Sequence, residues 1–173
     1  MRPVFLVGFM GSGKSTIGRL LASQWAQPFV DTDELVEAKA GKSITRIFQE
    51  DGEQAFRTLE RDILAHVCEE RASGGVVATG GGAPMDPRNW ALMEKTGQII
   101  ALVAPFEVLQ RRICELGESS RPLAADAVGL EDLYRERASR YAAARIVVET
   151  ATLSPAAVAA EISQRLAELC QEE

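Results

Sequence analysis

Cysteine is scarce and unpaired in this sequence. Cys68, Cys114 and Cys170 are odd in number, widely spaced and without a C-x-x-C pair, a distribution that suits neither a disulfide framework nor a zinc site. Free, mostly inert thiols are expected. Basic charge is also in deficit: 19 Lys and Arg against 25 Asp and Glu leave a net charge of −6, so no broad basic surface invites nucleic acid or an anionic membrane. The arginines then read as local tools, and small molecules are the expected partners. Long apolar runs are missing as well. None approaches the ~20 residues that cross a bilayer, and Met1 and Arg2 lead into an apolar strand without the layout of a signal peptide. A cytoplasmic monomer is expected. Histidine occurs once, as His66 in LAHVCEE, on a helical pattern with apolar neighbours where a structural role is expected rather than a chemical one. With no repeats, linkers or low-complexity segments, the 173 residues, 46% of them hydrophobic, read as a single domain over residues 1–173.

What is present is a rhythm. The runs PVFLV (3–7), PFVD (28–31), GVVAT (75–79), QIIALVA (98–104) and RIVVET (145–150) alternate with helical patterns. That βαβ order predicts an α/β fold, three layers α/β/α around a central five-stranded parallel sheet. Ligands of such sheets gather at the carboxyl ends of the strands. The last helix is the most legible: Ser154 and Pro155 supply its N-cap and first turn, and Val158, Ile162, Leu166 and Leu169 share one face.

The first strand runs into GFMGSGKST, residues 8–16, and then into the helical pattern IGRLLASQWA. Gly8, Gly13, Lys14 and Ser15 fit G-x-x-x-x-G-K-[ST], a loop whose curled backbone turns successive N–H groups inward while the following helix brings its positive end. Lys14 adds a cation, and the Ser15 hydroxyl suits one position on Mg²⁺, a position Thr16 need not share. A nucleoside triphosphate is the expected ligand. After the second strand comes DTD, where an extended chain would point Asp31 and Asp33 to the same side. One carboxylate could support Mg²⁺ and the other take a hydroxyl proton, although Thr32 or Asp33 could equally cap a helix starting near Glu34. The third strand ends in TGGG, residues 79–82, a backbone that a ligand can approach unobstructed. Between these, Ser43 caps a short helix and Gly52 separates it from a longer one that carries Arg57 and Glu60 three residues apart, which on chemistry alone suits a solvated surface pair.

Taken together, GFMGSGKSTIGRLLA, DTD, SITRIFQEDGEQAFRTLE, TGGGA, the Arg121–Pro122 step and RERASRY resemble the shikimate kinase family in order and approximate spacing, from about Val4 to Leu169. The resemblance implies a P-loop kinase fold with a mobile lid over about residues 113–129 and a substrate-binding segment over about 31–61. It implies ATP held by Gly11, Ser12, Gly13, Lys14, Ser15 and Thr16, with Arg112 against the adenine. Mg²⁺ would sit at Ser15 with Asp31 beside it, the carboxylate reaching the ion through water. Asp33 would bind the hydroxyl that is phosphorylated, Arg57 and Arg137 the carboxylate of shikimate, with Glu60 orienting Arg57, and Gly80 and Gly81 would meet the substrate through their backbone. Arg121 would be the lid arginine, and with Asp33 and Lys14 it completes the catalytic set. A carboxylate and three ring hydroxyls call for planar cationic donors and an acidic acceptor, which are these residue types. Two departures stand out. GESSRP places Ser119 and Ser120 where many relatives carry basic residues, and ETATLSP (149–155) lacks a basic residue that some carry, which implies a weaker grip on the nucleotide. A kinase for another polyol acid such as gluconate, or a nucleotide-binding module without transfer chemistry, are the alternatives.

Overall fold

The computed structural model describes residues 2–115 and 127–172. Both faces of β1 (Val4–Val7) are apolar, so the strand has to be covered on two sides. Val4 and Leu6 enter one buried cluster, and Phe5 and Val7 enter the other. The remaining elements follow in order: α1 (Lys14–Gln24), β2 (Phe29–Asp31), α2 (Thr32–Ala40), α3 (Ile44–Glu50), α4 (Gly52–Glu70), β3 (Val76–Ala78), a 3₁₀ turn (Ala83–Met85), α5 (Pro87–Thr96), β4 (Gln98–Val103), α6 (Phe106–Glu115), α7 (Ala127–Ala142), β5 (Ile146–Glu149) and α8 (Pro155–Glu172).

The strands form one parallel sheet in the order β2-β3-β1-β4-β5. On one face α1 and α8 bring Ile17, Leu21, Val158 and Ile162 against Leu6, Ile100 and Val148. On the other, α4, α5 and α7 bring Phe56, Leu64, Met93 and Tyr141 against Phe5, Val77 and Ala101. The three-layer architecture and the five strands agree with the sequence reading, the strands being a residue or two shorter at their ends. With β3 on one side of β1 and β4 on the other, the chain reverses direction across the sheet at β1. A crevice therefore opens at its carboxyl end, where the glycine-rich loop lies.

Several local expectations hold. Ser154 Oγ accepts the Ala157 N–H at 3.2 Å, and Ser43 Oγ accepts that of Arg46 at 3.3 Å. Cys68 is buried, Cys114 and Cys170 are exposed, and all three are free thiols. His66 differs from its expectation: it faces outward from α4, 64% exposed, with Nε2 3.3 Å from Glu70 Oε1. The apolar neighbours in sequence lie on the other side of the helix. Of the segment 113–129, Ile113 to Glu115 close α6 and the last three residues open α7, whereas 116–126, with Arg121, lie outside the described residues. No helix among the described residues is long and apolar enough to cross a membrane.

Gly18 lies outside the phosphate loop and has a packing role. A methyl group there would sit 2.4 Å from the Phe29 ring and 3.2 Å from Leu6 Cδ1, so α1 approaches the sheet this closely only because the side chain is missing. Gly18→Ala should destabilise the protein by about 1–3 kcal/mol in urea unfolding, because overpacking outweighs alanine's better helix propensity. Unchanged or higher stability would contradict that.

Candidate active site

The loop between β1 and α1 folds around its own lysine. Lys14 Nζ donates to the Gly8 carbonyl at 2.9 Å and to that of Phe9 at 3.0 Å, which holds the cation inside the curl. Gly8 has φ 147°, and a methyl group on it would lie 2.3 Å from the Leu102 carbonyl oxygen, so only glycine fits at that bend. Gly13 precedes α1 with no side-chain cap, which leaves the first amides of the helix to an anion. Gly11, Ser12, Gly13, Lys14, Ser15, Thr16 and Arg112 line one cleft, with Thr150, Leu153 and Pro155 opposite. Arg112 reaches from α6 to the Thr150 carbonyl at 2.6 Å and to its hydroxyl at 3.1 Å. Arg112 thus packs against the start of the 149–155 segment, which itself carries no basic residue.

The two aspartates of DTD separate. β2 ends at Asp31 and α2 begins at Thr32, so the chain does not stay extended, and the N-cap is Asp31 rather than Thr32 or Asp33. Asp31 Oδ1 accepts the Asp33 N–H at 3.0 Å while its Oδ2 accepts the Ser15 hydroxyl at 2.6 Å. Capping and contact with the phosphate loop are combined in one carboxylate. Asp33, in the first turn of α2, faces the glycine loop instead: a methyl group on Gly80 would lie 2.6 Å from its Oδ1. Ser15 and Asp31 offer the hard oxygen donors that suit Mg²⁺, whose other positions nucleotide and water would fill.

Beside the phosphate loop is a second pocket, lined by Asp33, Arg57, Glu60, Gly80, Gly81 and Arg137. The sequence reading named all six. It did not name Met10, Ile44, Phe48 and Phe56, which complete the lining together with Gly82, the last residue of the TGGG run it had singled out. The spacing of Ile44 and Phe48 along α3 was the available signal, but an apolar stripe does not reveal whether it faces core or ligand. Gly82 serves by having no side chain, since a methyl group there would lie 2.3 Å from Arg57 Nη1.

Arg57 and Glu60 are not a solvated pair. Arg57 Nη1 donates to Glu60 Oε2 at 2.8 Å, and Glu60 is only 2% exposed. Burial lifts the Glu60 carboxyl above its ordinary range, with Asp33 pushing the same way and Arg57 and Arg137 pulling against it. The native state therefore holds this proton to higher pH than the unfolded chain, which holds it only to about 4.5. Glu60's contribution to stability is full below that value and is lost as pH rises through the folded one. Glu60→Gln removes the titration. Its melting temperature should gain on the wild type as pH rises from 4.5, and the KM for the ligand of this pocket should rise about three- to tenfold if Arg57 loses its anchor. Parallel melting curves across pH would contradict the buried assignment.

A family model described as shikimate kinase matches residues 10–167. The chain belongs to the shikimate kinase family. A shikimate kinase of Synechococcus elongatus is 45% identical over 151 residues, covering 84% of this chain and 77% of the relative. One from Persephonella marina is 41% identical over 170 residues, covering 96% and 99%. Among solved structures, a shikimate kinase from Acinetobacter baumannii in complex with shikimate superposes with a TM-score of 0.88 at 33% identity, covering 97% of this chain and 94% of that one. The resemblance read from the motifs and the fold it implied both hold for this shikimate kinase family member.

Proposed function

We propose that this chain transfers the γ-phosphoryl group of ATP to the 3-hydroxyl of shikimate, giving shikimate 3-phosphate and ADP on the route to chorismate and the aromatic amino acids. The observation that carries the reading is the second pocket: two arginines, a buried glutamate and an aspartate converge beside a phosphate loop. Arg57 and Arg137 match the shikimate carboxylate with planar, permanently charged donors, and Asp33 meets the reacting hydroxyl. Met10, Ile44, Phe48 and Phe56 give an apolar wall that suits a carbocyclic ring. Open-chain gluconate, with a hydroxyl on every carbon past the carboxylate, offers that wall no apolar face. A nucleotide module without transfer chemistry would have no use for the clamp.

In the reaction, the 3-oxygen forms a bond to the γ-phosphorus as the bond from that phosphorus to the bridging oxygen of ADP breaks. Asp33 takes or holds the hydroxyl proton, and Lys14 stabilises charge on the moving group, a task that Arg121 would share from outside the described residues. Mg²⁺ at Ser15 and Asp31 would supply charge neutralisation along the triphosphate. Leu153, 38% exposed in the nucleotide cleft, gives the adenine an apolar contact beside Arg112.

ADP release coupled to NADH oxidation, with shikimate or gluconate as acceptor, tests the proposal. Shikimate should drive turnover and gluconate should not. Equal rates with either, or none with shikimate, would overturn it. Arg57→Lys keeps the charge and loses the planar fork, so shikimate KM should rise about ten- to a hundredfold with the ATP KM unmoved. A parallel rise in both would remove Arg57 from the clamp.

A further inference from the structure

Three consecutive glycines have no side chains with which to hold a conformation, and each loses more freedom on folding than any other residue. Yet the Gly80–Gly82 backbone forms a wall of the acceptor pocket. Its position has to be imposed from outside. The loop hangs from the sheet through Thr79, whose N–H and hydroxyl both donate to the Leu6 carbonyl, at 3.1 and 3.2 Å. Beyond Thr79, two hydroxyls reach it from opposite elements. The Gly80 N–H donates to Thr32 Oγ1 at 3.1 Å, and the Tyr141 hydroxyl donates to the Gly81 carbonyl at 2.7 Å.

Thr32 is 1% exposed and Tyr141 2% exposed, and neither lines the pocket. Their chain positions matter. Thr32 directly precedes Asp33 on α2, and Tyr141 lies about one helical turn after Arg137 on α7. We infer that the Thr32 and Tyr141 hydroxyls are a pair of positioning groups. Thr32 sets the glycine loop in register with Asp33, and Tyr141 sets it in register with Arg137. The two ends of the acceptor, reacting hydroxyl and carboxylate, thereby meet a backbone of fixed shape. This inference rests on the reading of that pocket as the shikimate site. It gives the middle residue of DTD a role in place of the helix cap that the sequence pattern offered and Asp31 provides.

Thr32→Val keeps the shape and deletes the hydroxyl, Thr32→Ser restores it, and Tyr141→Phe removes only the phenolic oxygen. Steady-state kinetics in both substrates should show Thr32→Val and Tyr141→Phe raising shikimate KM about three- to tenfold, with the ATP KM within twofold of the wild type. Thr32→Ser should stay within twofold in both. A merely structural role would lower the melting temperature and leave shikimate KM in place, or raise both KM values together, and either result would overturn the inference. Should Tyr141→Phe not fold, the Val against Ser comparison at Thr32 decides. Absence of shikimate turnover in the wild type would overturn the acceptor assignment, and this inference with it.

Discussion

Lys14→Ala should lower kcat by about 10²- to 10⁴-fold, a loss on the order of 3–5 kcal/mol of transition-state stabilisation. The size follows from where the cation is held. Nζ sits inside the loop on the Gly8 and Phe9 carbonyls, so a bound triphosphate meets it without waiting for a side chain to be ordered. Alanine removes the charge and leaves both carbonyls without that donor. Circular dichroism and shikimate affinity of the variant should stay close to the wild type, because Lys14 does not line the acceptor pocket. A kcat within tenfold of the wild type would show that this loop does not hold the transferring phosphate.

Asp33→Asn should cut phosphoryl transfer by about 10²-fold or more while ATP binding survives. The amide keeps the size of the carboxylate and cannot take a proton. Asp33 is also one of the charges that push the Glu60 carboxyl up, so the variant should let Glu60 ionise at lower pH. Asp31 shares no such role: it faces Ser15 and caps α2. Unchanged turnover in Asp33→Asn would remove this residue from the mechanism.

The parts of the molecule legible in the sequence are those set by local chemistry. Strands such as QIIALVA announced themselves because both sheet faces are covered, and the phosphate loop did so because its glycines and lysine have few other uses in one pattern. Ser43 and Ser154 were readable caps. The DTD residues by themselves did not divide Asp31 from Asp33, which only the family resemblance told apart; the different directions of the two carboxylates depend on the strand ending at Asp31 and the helix beginning at Thr32. Burial of Glu60 was hidden for a similar reason. A pair three residues apart on a helix looks the same in solvent or under a glycine loop, and only the packing of TGGG over α4 separates the cases. Phe48, Phe56, Thr32 and Tyr141 act through contacts with residues distant in sequence, which periodicity cannot supply. The exposure of His66 was not legible, because neighbours in sequence need not share a helix face.

The account turns on which oxygen receives the phosphorus. Proton and phosphorus NMR of the product formed from ATP, Mg²⁺ and shikimate should show phosphorus coupled to the proton on ring carbon 3, one ester formed for each ADP released. Phosphorus on another ring hydroxyl, or ADP released with inorganic phosphate and no ester, would contradict it.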